Sequence, residues 1–250
     1  MAAVETLELA SKFVNKSNCA VAIVQSNYIP WKGYFDLIGS CEHFVIYDES
    51  QYTKRDWRNR NLIKTPKGLR WLSVPVSVKS KFHQRIAEAV VADKKWAREH
   101  WLTLVHSYSR APGFRVFKDK FHDLYSEAEG LEYLSDINTL FIREICSILD
   151  ISTKIYQSSE FELESGKNER LVGICKAVGA DKYVSGPAAK CYLETDNFAS
   201  EGVVVEWFKY GPYKEYEQLY SPFEHRVSVL DFLFSLGEES SEFFWSQRLK

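Results

Sequence analysis

No apolar run approaches the roughly eighteen to twenty residues that would carry a helix across a bilayer, so membrane insertion is not expected. No Cys-x-x-Cys pair occurs either. The five cysteines, Cys19, Cys41, Cys146, Cys175 and Cys191, are scattered and odd in number, which argues against zinc or a disulfide framework and for a reducing compartment. The six histidines (His43, His83, His100, His106, His122 and His225) form neither H-x-H nor H-E-x-x-H, so no metal site is expected. G-x-S-x-G, Walker A and G-x-G-x-x-G are all absent. Net charge is nearly absent too, at −2, which removes any global attraction to nucleic acid or to an anionic surface. There are no repeats, no low-complexity tracts and no Pro/Gly/Ser linker. The N-terminal "MAAVETLELASKFVNKS" is polar and has no signal-peptide core, so the expected location is cytoplasmic.

What is present reads as a globular α/β chain. The 45% hydrophobic and 26% charged composition is that of a packed domain rather than a disordered one. Aromatic residues at 15% supply both core bulk and rings for stacking on sugars or bases. "CAVAIVQS" (19–26) predicts a buried strand, "YFDLIGSC" (34–41) a helix and "HFVIYDE" (43–49) a second strand, together a βαβ unit. "RWLSVPVSV" (70–78) predicts an edge strand because of its proline, and "RIAEAVVA" (85–92) another strand. From residue 93 to 150 the period becomes 3.6, with Asp93 and Ser135 as cap residues and "APG" (111–113) as a break. Strands at 154–159, 182–186 and 202–210 then alternate with helices at 168–179, 187–194 and 227–237.

The expected architecture is α/β: a Rossmann-like three-layer body with a mostly parallel sheet and a helical insertion. One domain spans 1–250, with the body at 18–92 and 151–237, the insertion at 93–150 and a C-terminal helix at 238–250. In a βαβ unit the ligand sits beyond the carboxyl ends of the strands. Those ends lead into "QSNYIPWKGY" and "QYTKRDWRNRN", the two most unusual stretches of the chain.

The second of these (51–61) sets Lys54, Arg55, Arg58 and Arg60 against the single acid Asp56, with Gln51, Tyr52, Trp57, Asn59 and Asn61 among them. It is either a solvated basic arm or a pocket for an anion. Arginine outnumbering lysine favours bidentate binding of phosphate or carboxylate, with Trp57 and Tyr52 as stacking surfaces. In the first stretch, with Gln25 and Trp31 beside them, Asn27, Tyr28, Pro30 and Gly33 predict an irregular turn leading into a helix N-terminus, which favours an anion, and an ordinary strand–helix loop stiffened by proline is the competing reading. "YVSGPAAKCYLE" (183–194) repeats that logic with Ser185, Gly186 and Lys190, and an ordinary structural turn is the competing reading. Cys191 has no adjacent histidine to activate it, so a buried thiol is expected rather than a nucleophile. Of the nearby acids, Asp36 and Asp48 are the candidates for a general base.

"QSNYIPWKGYFDLI", "FVIYDESQYTKRDWRNRNLIKTPKGLRWLSVPV", "YVSGPAAKCYL" and "SVLDFLFSLG" together resemble the WbqC-like family, over roughly residues 20–237. Proteins of that kind are typically found among bacterial genes for O-antigen and other surface polysaccharides. Some members are described as glycine- or aminoacyl-transferases acting on an amino sugar. A fainter likeness is to nucleotidylyltransferase-like adenylating enzymes of the HIGH-motif superfamily. This sequence has "WKGY", with Lys32 and Tyr34 near the expected places, and lacks both histidines of that motif.

The resemblance implies an acyl- or aminoacyl-transferase or ligase acting on a nucleotide-linked amino sugar, in lipopolysaccharide or related synthesis. The alternative is a non-catalytic protein of the same pathway that binds a nucleotide-sugar or a partner enzyme. The cofactor stays open between ATP and an acyl donor such as a CoA thioester. The partners expected are a nucleotide-sugar or another phosphate-bearing small molecule and enzymes of the same pathway, with no nucleic acid.

Overall fold

The computed structural model describes residues 19–247. The N-terminal stretch read above as lacking a signal core lies outside the described residues, as do the last three residues of the expected C-terminal helix.

Strand β1 (Ala20–Val24) is the centre from which the body is built. It pairs in parallel with β2 (His43–Ile46) on one side and with β6 (Lys182–Ser185) on the other. β5 (Lys154–Gln157) extends the sheet beyond β2, and β7 (Val204–Trp207) extends it beyond β6, both in parallel. The order β5-β2-β1-β6-β7 means that the chain winds outward one way, then returns and winds outward the other way. Its switch point lies between β1 and β6, where open parallel sheets bind ligands.

Alternation along the strands explains the layers. Ala20 and Ala22 face one apolar cluster, with Phe35, Phe44 and Phe232, while Val21, Ile23 and Val45 face a second, with Val172, Cys175 and Phe198. Burial of side chains such as Phe35 and Phe44 stabilises by on the order of 2 kcal/mol each. Helix α1 (Lys32–Ile38) covers the first face. It is joined there by α2 (Trp96–Tyr108), α3 (Pro112–Gly130) and α4 (Leu134–Ile148), and by α7 (Val229–Leu236). Helices α5 (Lys167–Ala177) and α6 (Thr195–Ser200) cover the second face, and α8 (Ser240–Ser246) closes the described chain. Helix α3 crosses close to the end of α7 because Gly113 has no side chain. A Cβ there would lie 2.3 Å from the Leu233 carbonyl oxygen.

The α/β class and the parallel sheet are as the sequence predicts, and several local expectations are corrected. Residues 70–78 do not join the main sheet: β3 (Arg60–Thr65) and β4 (Gly68–Ser73) form a separate antiparallel hairpin. Residues 85–92 form no strand. The Glu88 carboxylate accepts from the Arg85 backbone N–H at 2.8 Å, and this capping box winds Ile86–Glu88 into a 3₁₀ turn. The expected helix 187–194 is a 3₁₀ turn over Pro187–Cys191, followed by α6. That turn leaves Cys191 exposed, its thiol donating to the Ala188 carbonyl at 3.2 Å, so the expected burial is wrong. Ser135 lies inside α4 and caps nothing; its hydroxyl donates to Asp48 at 2.5 Å. Asp93 precedes α2 and accepts from the Lys95 N–H.

Candidate functional site

The loop between β1 and α1 is held from every side. Ser26 N–H donates to the Asp48 carboxylate at 2.8 Å, Asn138 donates to the Ser26 hydroxyl, and Tyr28 N–H donates to the Trp57 carbonyl. Asn61 donates to the Ile29 carbonyl at 2.8 Å, and Val229 N–H reaches the Pro30 carbonyl at 2.9 Å. Ile29 is fixed at φ +41°, a left-handed conformation that a β-branched residue adopts only under such constraint. Trp31 then folds back over Gly33. A Cβ at Gly33 would lie 2.3 Å from the indole, so any side chain there would have to push the Trp31 ring aside.

The Trp31 ring meets Tyr210 at 5.5 Å and Tyr213 edge-on at 5.6 Å between centroids. These rings, with Trp57, Asn27, His225 and Arg226, wall a cleft of about 520 Å³ beyond the carboxyl edge of the sheet. A second cavity of about 590 Å³ opens at the switch point itself, between Gln25, Ser185 and Gly186 on the strand ends and Lys167 and Arg170 on α5. Tyr210 lines both.

Behind the cleft sits Lys32, only 2% exposed. Its Nζ lies 2.9 Å from Nδ1 of His225 and is boxed by the rings of Tyr213, Tyr216 and Phe223 at 5.6, 5.1 and 5.5 Å. Burial lowers its pKa to about 8, against the opposing pull of Asp231, Glu215 and Glu224. Burial and the neighbouring Lys32 also lower His225, which keeps the imidazole neutral. Burial raises the Tyr213 hydroxyl, as does Asp36, to which it donates at 2.8 Å.

The segment carrying Tyr213 and His225 has no regular structure between β7 and α7, and polar anchors fix it instead. Asp231, fully buried, accepts from Tyr108 and Tyr216 at 2.9 Å and from Gln218 at 2.7 Å. Lys64 reaches into the same segment, donating to Gln218 at 2.8 Å and to the carbonyls of Tyr220 and Pro222.

The residues singled out from sequence divide among several places. Asn27, Pro30, Trp31 and Trp57 line the aromatic cleft, and Gln25, Gln51, Ser185 and Gly186 line the switch-point cavity. Tyr28, Tyr34 and Tyr52 are buried in the core, Tyr28 bonded to His100 and Tyr125 at 2.9 Å each, and Tyr34 to the Gln25 carbonyl. The basic stretch does not converge on one pocket. Arg58 donates to the Ser26 carbonyl and to the Asn27 side chain, and so braces the β1–α1 loop. Asn59 donates to the Val74 carbonyl. Arg60 lies on the face of Trp71, 4.1 Å from its centroid, and donates to the Arg55 carbonyl. Lys54 and Arg55 are exposed, as is Lys190, which sits over Trp207. Asp48 serves the Ser26 turn, whereas Asp36 lines a smaller cavity next to Lys32.

Sequence reasoning missed the wall built from Tyr210, Tyr213, His225 and Arg226. The expected strand 202–210 stops at Trp207, which leaves Tyr210 in this wall, and the signal for the rest is "GPYKEYEQLYSPFEH" (211–225), where aromatic residues recur among Gly and Pro with neither strand nor helix period.

Fold and site together define a Rossmann-like α/β protein with ligand-sized cavities at the carboxyl edge of a parallel sheet. The chain belongs to the WbqC-like protein family, whose model matches residues 25–243. That family is associated with the biosynthesis of O-antigen and other surface polysaccharides. The chain is similar to the uncharacterized protein Rv1507c of Mycobacterium tuberculosis, at 48% identity over 89% of this chain and 96% of the relative. No solved structure matches it. No helix among the described residues is long and apolar enough to cross a membrane.

Proposed function

We propose that the protein is a transferase or ligase that attaches an activated acyl or aminoacyl group, such as glycyl, to the amine of a nucleotide-linked amino sugar. The observation that carries this reading is the pair of cavities, about 520 and 590 Å³, that share Tyr210 as a wall. A nucleotide-sugar has an anionic half and a ring-bearing half. Lys167 and Arg170 beside Gly186 suit the phosphates, and the Trp31, Trp57 and Tyr213 rings suit the apolar face of a sugar. His225 and Tyr213 add polar contacts near the place where an amine would be acylated. The acyl donor, whether a CoA thioester or an adenylate made with ATP, is a second substrate in this reading.

Thermal unfolding with UDP- and dTDP-linked amino sugars tests it. A ligand at about a hundred times its dissociation constant adds roughly 2.7 kcal/mol. For a chain of this length that raises the melting temperature by roughly 5–11 °C. The shift should shrink in both Trp57→Ala and Arg170→Ala. Equal shifts with free amino sugars and no loss in Arg170→Ala would rule out the nucleotide half. No shift with any nucleotide-sugar would end the proposal.

A further inference from the structure

A lysine that is almost wholly excluded from water, faces three aromatic rings and has a neutral imidazole as its hydrogen-bond partner is an unusual arrangement. Buried amines are costly unless paired. Neither carboxylate that the sequence offered as a base lines the aromatic cleft, whereas His225 does. Its ring stands edge-on to Phe223 at 4.6 Å, which fixes its plane. Nδ1 is engaged by Lys32, and Nε2, across the ring, has no protein partner among the described residues.

We infer that Lys32 and His225 form a proton-accepting pair, in which Nε2 of His225 faces the reacting amine and Lys32 sets the imidazole tautomer through Nδ1. When Lys32 is charged, its ammonium donates to Nδ1, so the ring's own proton sits on Nε2, which can then only donate. When Lys32 is neutral, Nδ1–H donates to Nζ and Nε2 presents its lone pair to the cleft. The reactive form is the neutral pair.

The identity of the amine rests on the proposed function. The acceptor nitrogen attacks the carbonyl carbon of a thioester or acyl-adenylate. The N–C bond forms as the C–S or C–O bond breaks, and the leaving group departs with that electron pair. The proton lost by nitrogen passes to Nε2 while the Nδ1 proton passes to Lys32. It then returns by the reverse path to the leaving group or to solvent.

The surroundings agree with this division of roles. Acidic groups act on Lys32 from α7 (Asp231) and from the irregular segment (Glu215 and Glu224); Asp36, one turn along α1, and Lys209 share its side cavity. Glu215 and Glu224 also act on His225, and Arg226 follows it in the chain. The hydroxyls of Tyr213 and Tyr216 donate to Asp36 and Asp231, so neither competes as a base. The free amine of Lys32 is populated around pH 8.

The experiment needs no substrate. Nitrogen-15 NMR of histidine-labelled protein, with the His225 signals identified by their loss in His225→Gln, reports the tautomer directly. The expected result is an Nε2–H ring at pH 7 that becomes Nδ1–H by pH 9.5, with a midpoint near 8. Lys32→Arg, permanently charged, should hold the Nε2–H form throughout, and Lys32→Met should abolish the transition. A wild-type ring that keeps one tautomer over this range overturns the inference, and so does an unchanged transition in Lys32→Met. The tautomer change without any nucleotide-sugar binding would keep the pair and remove the proposed substrate. Once turnover is measured, its rate should rise with pH through about 8. It should fall by about 10²–10⁴-fold in Lys32→Arg and Lys32→Met, the usual contribution of a proton acceptor.

Discussion

The chain holds cations in two contrasting ways. Between Gln51 and Asn61 four of them crowd together, and each is either exposed or bonded to a neighbouring carbonyl or ring. At the start of α1 a single lysine stands alone in sequence and is buried in an aromatic box. The crowded charges are internal braces and surface, whereas the solitary one has the altered chemistry. Charge density along a sequence therefore indicates little about electrostatics; the environment that the fold gives to one group decides it.

The largest expected effect comes from the segment that brings His225 to Lys32. Asp231→Ala takes away the acceptor shared by the buried hydroxyls of Tyr108 and Tyr216 and by the Gln218 amide. It should cost about 3 kcal/mol, seen as a fall in melting temperature of roughly 6–12 °C. A loss below about 1 kcal/mol would show that the segment is held by other means.

Lys32→Met should act in the opposite direction. The folded pKa lies below that of the unfolded chain, so the cost of burying the charge is complete below pH 8 and fades between pH 8 and 10.5. A fall from 10.5 to about 8 corresponds to roughly 3 kcal/mol. Methionine at this position should therefore gain on the order of 2–3 kcal/mol of stability at pH 7. Urea unfolding at pH 7 and pH 10.5 should show the gain at the first and almost none at the second. An equal gain at both would mean that packing, and not charge, is responsible.

The smallest effects belong to the basic stretch. Arg58→Ala removes two hydrogen bonds from the β1–α1 loop and should cost about 1–2 kcal/mol. Arg60→Ala loses a contact with Trp71 near the surface and should cost roughly 0.5–1 kcal/mol. If Arg58→Ala left stability unchanged and weakened nucleotide-sugar binding more than tenfold, the stretch would be an anion clamp and the contrast would fail.

Much of the body was legible in the sequence because its signals are local. β1, α1 and β2 follow one another within thirty residues, and the alternation of Val21 and Ile23 against Ala20 and Ala22 survives intact in the layers. The helical block was legible for the same reason, a sustained period. The hairpin was not, since Asn61 and Leu72 face inward while Leu69 and Trp71 remain exposed, which blurs the alternation. The site was legible on one side only. Its near wall is the motif around Trp31, whereas His225 lies 193 residues away from Lys32 in a segment whose order comes from Asp231 and Lys64. No periodic pattern encodes such a meeting.

Tyr210 has a consequence of its own. One ring serves as a wall of two cavities, so whatever displaces it from one side remodels the other. Linkage makes any such influence mutual: the factor by which the first ligand alters affinity for the second equals the factor in the reverse order. On the proposed reading the two halves of one nucleotide-sugar take the places of those two ligands, so the fit of its phosphates and the fit of its sugar bear on one another through a single side chain.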